Sequence, residues 1–170
     1  AVGGPIQIAI AGGGDGLGAP DDQSLTTLTI SGTLEVGESD MSTNGAAASI
    51  QLGVDEGDFV LTNAGSILGN RSAIGITHAE STDTQTLIQG TIENDHRNTA
   101  GGAPSGSIVI SSDADHVPGV GAEDDDLLVT GTLTCNGGLI QLDCADGGAN
   151  NDGRLVIQGA TIDASARENP

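Results

Sequence analysis

The segment that decides the fold runs from Ile74-Gly75-Ile76, through a polar stretch, to Ile88-Gln89-Gly90-Thr91-Ile92. Its first half recurs as Ile6-Gln7-Ile8, Ile50-Gln51-Leu52, Ile108-Val109-Ile110 and Ile140-Gln141-Leu142. Its second half recurs as Ile30-Ser31-Gly32-Thr33-Leu34 and Val129-Thr130-Gly131-Thr132-Leu133. Looser copies sit at Leu61 to Ile67, around Gly65, and at Ile157 to Ile162, around Gly159. Apolar residues that alternate with period two mark strands with one buried face. No window of useful length carries helical periodicity, and Gly, Asn, Asp and Thr punctuate the chain as turn formers.

A motif pair repeated along nearly the whole chain sets the architecture. The closest spacing of first halves, Ile50 to Ile74, is roughly 24 residues, about one coil of a parallel β-solenoid, and longer spacings place loops outside the coil. The sequence therefore predicts an all-β, single-domain solenoid over 1–170. Its five coils lie near 5–40, 48–70, 72–95, 106–136 and 138–164. Ile6, Ile50, Ile74, Ile108 and Ile140 would stack as one internal ladder. Gly32, Gly65, Gly90, Gly131 and Gly159 would stack at a corner, where a missing Cβ permits the bend. Thr33, Ser66, Thr91 and Thr132 would form an outer hydroxyl column, beside a broken ladder of Gln7, Gln51 and Gln141. The competing fold is a β-sandwich or jelly roll of short strands, which alternates in the same way. A sandwich gives no reason for one strand–loop–strand–Gly unit to recur five times in the same order.

At the level of architecture, these motifs resemble the right-handed parallel β-helix of pectate-lyase-like proteins and many secreted adhesins. The resemblance spans residues 5 to 164 and rests on a loose consensus.

Composition narrows the function. The chain has 170 residues, 24 acidic against 4 basic, and a formal charge of −20; all four basic residues are Arg. Binding to nucleic acid or to an anionic membrane surface needs clustered positive charge, so both are disfavoured. No segment is long and apolar enough to span a bilayer as a helix. With one Phe and no Tyr or Trp, the core must be filled by Ile, Leu, Val and Ala, which suits a thin layered interior. The chain starts at Ala1 and carries the sequon Asn70-Arg71-Ser72. Both features are read as those of a processed protein, secreted to the cell surface or beyond, with Asn70 as glycosylation acceptor. Cys135 and Cys144 each follow an apolar strand position by two residues, so both face the core side. In a secreted chain they are expected to form a disulfide across the Asn136-Gly137-Gly138 turn, the alternative being two buried thiols.

The loops between the two halves of each unit are acidic. The strongest cation candidates are Asp113 and Asp115 with Asp124, Asp125 and Asp126, and Asp143, Asp146, Asn150 and Asp152. Carboxylates, Asn side chains and Gly-permitted turns supply the oxygen ligands that Ca²⁺ takes. The alternative is a solvated acidic surface.

Catalytic signals are missing. His78, His96 and His116 are far apart and read as loop residues. No G-x-S-x-G, zinc spacing or phosphate loop occurs. A glycosidase would need two carboxylates across a cleft, and the chain is nearly without aromatics to stack on sugar. No enzymatic activity is expected.

Neither end of the sequence offers an amphipathic cap, so the terminal coils are expected to present open sheet edges. Matching ends would stack head to tail, a contact that does not close and so yields a fibre. The sequence thus predicts a homopolymer: a structural subunit of an extracellular filament or surface layer, its partner being itself. The alternative is a secreted adhesin, with ice or glycan binding less favoured.

Overall fold

The computed structural model describes residues 5–10, 27–36, 49–55, 57–70, 72–82, 85–95, 106–115, 127–144 and 154–165. Among them lie fifteen strands in three sheets of five. The first sheet holds β1 (Ile6–Ile10), β4 (Ser49–Val54), β7 (Ala73–Thr82), β10 (Ser107–Asp115) and β13 (Leu139–Cys144). The second holds β2 (Leu28–Ile30), β5 (Phe59–Leu61), β8 (Thr86–Ile88), β11 (Leu127–Val129) and β14 (Leu155–Ile157). The third holds β3 (Thr33–Glu35), β6 (Ser66–Asn70), β9 (Thr91–Asp95), β12 (Thr132–Cys135) and β15 (Thr161–Asp163).

Each sheet is stacked in chain order, and every strand pair is parallel. One strand from each sheet makes one coil, so the chain winds a five-coil parallel β-solenoid. A sandwich built from hairpins would pair its strands antiparallel, and that alternative falls.

The ladders follow from strand parity. Ile6, Ile50, Ile74, Ile108 and Ile140 are in register, and the middle three are fully buried. Thr33, Ser66, Thr91, Thr132 and Thr161 are in register on the outer surface of the third sheet. Thr161 joins this column although its motif is irregular. The interior is aliphatic, with Phe59 as its one aromatic. Stacked branched side chains fill a narrow three-walled core without large rings, which accounts for the composition.

Two of the coil's corners are formed by described residues. At the first, between the second and third sheets, Ser66 N donates to Gly32 O (2.9 Å), Thr91 N to Gly65 O (3.1 Å), Thr132 N to Gly90 O (3.0 Å) and Thr161 N to Gly131 O (3.1 Å). This tight stacking leaves no room for side chains. A Cβ on Gly65 would collide with Ile30 O, one on Gly90 with Gly65 O and Thr62 O, and one on Gly131 with Gly90 O. Each collision is with backbone of the preceding coil. Gly159 differs: its φ is +65 and its Cβ direction is open.

At the second corner, between the third and first sheets, buried Asn94 acts as a bracket. Its Nδ2 donates to Ser72 O (2.6 Å) and Ser107 O (3.2 Å), and its Oδ1 accepts from Ser72 N (3.4 Å). It thereby satisfies backbone groups that the bend removes from the sheet ladders. Replacing Asn94 with Ala is expected to destabilise the protein by about 2–4 kcal/mol, since buried groups at this corner lose their partners. A urea titration followed by circular dichroism checks this.

Two expectations about elements are corrected. Asp113 and Asp115 lie on β10 rather than in a loop, because β10 keeps pairing with β7 past the apolar run, through a bulge between Ser112 and Ala114. His78 lies on β7 rather than in a loop, and its side chain is buried.

Candidate functional site

The solenoid's columns end abruptly at the last coil. In the second sheet the inward column runs Ile30, Leu61, Ile88, Val129, Ile157. Val129 is 0% exposed and Ile157 51%. In the third sheet Leu34, Ile67, Ile92, Leu133 and Ile162 form the equivalent column. Leu133 is 0% exposed and Ile162 40%. Leu155 also stands exposed, below buried Leu127. Inward-facing parity is retained on the last coil, but among the described residues no further strand covers it. At the opposite face, Ile6, Ile8, Leu28 and Leu34 are only partly buried, whereas Ile30 and Val36 are buried. β13, β14 and β15 form one edge of the three sheets, and β1, β2 and β3 the other. Edge strands present unpaired N–H and C=O groups along the axis. The two faces together are the candidate site.

A buried polar chain is the other notable cluster. His78 Nδ1 is 2.9 Å from Thr86 Oγ1, which is 3.1 Å from Ser112 Oγ. All three residues are buried, so the cluster is closed to a substrate and serves to satisfy polar groups inside the coil. Parity holds the signal: His78 lies two residues after Ile76, and Ser112 two after Ile110, on the inward side.

Of the cation candidates, Asp143 is exposed on β13, in register with Ser111. The backbone of Asp113 on the adjacent strand lies two residues beyond that partner. Asp124, Asp125, Asp126, Asp146, Asn150 and Asp152 lie outside the described residues, as do His96 and His116. Among the described residues no three His, Cys, Asp or Glu side chains converge as a metal site. One acidic residue between β4 and β5 ties two coils together, as Asp58 Oδ1 accepts from Gln85 N of the next coil (3.0 Å).

Asn70 ends β6, with its side-chain oxygen buried and without a hydrogen-bond partner. Ser72 of the same sequon is buried in the corner, and its hydroxyl is likewise unpartnered. Asn70 and Ser72 thus lie at the bend, with polar side-chain atoms turned away from solvent.

No disulfide joins Cys135 and Cys144. Cys135 is at the corner, where its Sγ donates to Gly106 O (3.4 Å). Cys144 ends β13, five strand steps past the corner and roughly 16 Å along the strand at about 3.3 Å per residue. A disulfide needs Cα atoms within about 7 Å. The turn brings Cys135 to the start of β13 and leaves Cys144 at its far end. Burial raises the Cys135 thiol pKa, partly offset by a backbone hydrogen bond from Gly138. A thiol reagent is therefore expected to modify half-buried Cys144 first and reach Cys135 only on unfolding. Mass spectrometry before and after denaturation reads this directly; a disulfide would leave both unmodified until reduction.

Scans against protein-family models, curated proteins and solved structures returned no match for this chain.

Proposed function

We propose that this protein is a structural subunit of an extracellular filament or cell-surface layer, growing by end-to-end stacking of its coils. The observation that carries this reading is the set of uncovered inward columns on the last coil, above all Ile157 and Ile162. Apolar side chains that keep core parity while facing water mark an interaction surface. Both faces have the same three-strand cross-section, so a second copy offers matching sheet edges. The contact is heterologous and leaves a fresh face on each added copy. The three-sheet parallel coil also supports the finer relation to the right-handed pectate-lyase-like β-helix.

Charge opposes such growth, because each copy carries −20. Ca²⁺ fits this need, since carboxylates and amide oxygens are its preferred donors. Asp113 and Asp115 with Asp124, Asp125 and Asp126 would hold one ion, and Asp143, Asp146, Asn150 and Asp152 another. Bound there, Ca²⁺ would neutralise the acidic flank and so favour association.

Negative-stain electron microscopy with Ca²⁺, and then with chelator, tests the proposal. Uniform fibres are expected with Ca²⁺, shortening or dispersing on chelation. Fibres that persist in chelator would keep the filament and remove Ca²⁺ from its contacts. Dispersed monomers under both conditions would overturn the filament and favour a secreted adhesin.

A further inference from the structure

Among the described residues, nothing requires glycine at position 32. Its φ lies outside the left-handed region, and a Cβ built on it meets nothing within 4 Å. Its counterparts Gly65, Gly90 and Gly131 are glycine because a Cβ there would strike backbone carbonyls of the preceding coil. The described coils hold nothing before Gly32's coil to strike.

We infer that a second copy of this chain supplies the missing coil: its last coil packs against the first coil in the register of the solenoid's own ladder. This rests on the end-to-end reading above. The ladder's rule fixes the pairing. Each corner Thr or Ser donates its N–H to the preceding coil's corner glycine. In each case the acceptor is the residue just before the stacked Thr or Ser, which in the longer last corner is Ala160, so across the junction Thr33 N donates to Ala160 O of the second copy. Thr33 continues the hydroxyl column from that copy's Thr161, while half-buried Leu28 and Leu34 cover its Leu155 and Ile162. A Cβ at Gly32 would then press on the second copy's corner backbone, as it would at the three internal positions. The same register sets Glu35 beside the second copy's Asp163. Like charges side by side oppose pairing, so this junction tightens as salt screens them.

Two variants test the register. Gly32→Ala should melt at or above the wild-type temperature as a monomer, yet lose fibres and raise the concentration needed for assembly at least tenfold. Thr33→Cys combined with Thr161→Cys should form an intermolecular disulfide ladder on non-reducing gels. In parallel register the two Cα atoms are about 4.8 Å apart, within disulfide reach. Either single variant should give no ladder beyond dimers. The outcomes separate the two readings. Wild-type protein that never assembles overturns the end-to-end reading itself. Wild-type fibres together with normal Gly32→Ala fibres, or with no covalent ladder in the double variant, overturn only this register.

Discussion

Gly131→Ala is expected to abolish the native fold of at least the last two coils, while the same substitution at Gly32 leaves stability unchanged or slightly improved. The two glycines occupy the same place in the repeat, so propensity alone predicts equal effects. Gly131's surroundings make the difference. Its Cβ would collide with Gly90 O and approach the Gln89 carbonyl carbon and oxygen at 2.7 Å each. These are backbone atoms, so no side-chain rotation relieves the clash. Relief requires the fourth coil to lift from the third. That breaks Thr132 N–Gly90 O (3.0 Å) and Gly131 N–Ile88 O (3.0 Å), and opens the contact between buried Leu133 and Ile92. Two backbone bonds at about 1 kcal/mol each and a partly uncovered aliphatic pair at about 1.5–3 kcal/mol per side chain sum to much of a typical domain's stability of about 5–15 kcal/mol. In a stack where each coil contacts only its neighbours, the damage spreads along the axis. At Gly32 no clash occurs, and restricting the unfolded chain adds about 0.4–1 kcal/mol of stability. Circular dichroism melts of the two variants at low concentration, where junctions do not contribute, decide the matter. Equal melting temperatures would show that corner glycines are not held by the preceding coil.

The same contrast explains how far the sequence could be read. Period-two alternation placed Ile50, Ile74 and Ile108 in one column and the Gly-centred motif at one corner, because both features are local and repeat. The polar interior does not show in apolar alternation. Asn94 lies two residues after Ile92, as Cys135 does after Leu133, so parity already turned it inward. Its role as a corner bracket depends on backbone groups of Ser72 and Ser107, which no local pattern displays. The run Ser111 to Asp115 reads as a polar loop, yet it is strand. Neighbouring parallel strands can hold polar residues extended when β7 supplies the hydrogen-bond partners. The disulfide expectation failed for a related reason: parity gives the side on which a thiol lies, not its position along the strand. Which strands stand at the sheet edges follows from the order of the repeats. Which inward side chains they leave uncovered is a property of the whole stack.

Ile157→Asp is expected to leave the monomer folded and eliminate assembly, whereas Val129→Asp should destroy the monomer. Both residues belong to one inward column of the second sheet. Val129 has the third coil on one side and the fifth on the other, and is fully buried. A carboxylate there would be an uncompensated buried charge, costing about 3–5 kcal/mol by analogy with broken buried ion pairs, in addition to the lost packing. Ile157 is about half exposed, so in the monomer a carboxylate at that position would remain hydrated and the loss would be near 1 kcal/mol, the cost of a modest surface substitution. Addition of a second copy gives position 157 the surroundings that Val129 already has. Covering the introduced carboxylate with the incoming coil imposes the same cost of about 3–5 kcal/mol at every junction. At about 1.4 kcal/mol per tenfold in an equilibrium constant, the concentration needed for assembly rises between about a hundredfold and a few thousandfold. Analytical ultracentrifugation over a concentration series measures that shift, and a far-ultraviolet spectrum confirms the retained strand content. If Ile157→Asp assembled like the wild type, the last coil would not be the growing face, and the exposed aliphatic column would need a different occupant.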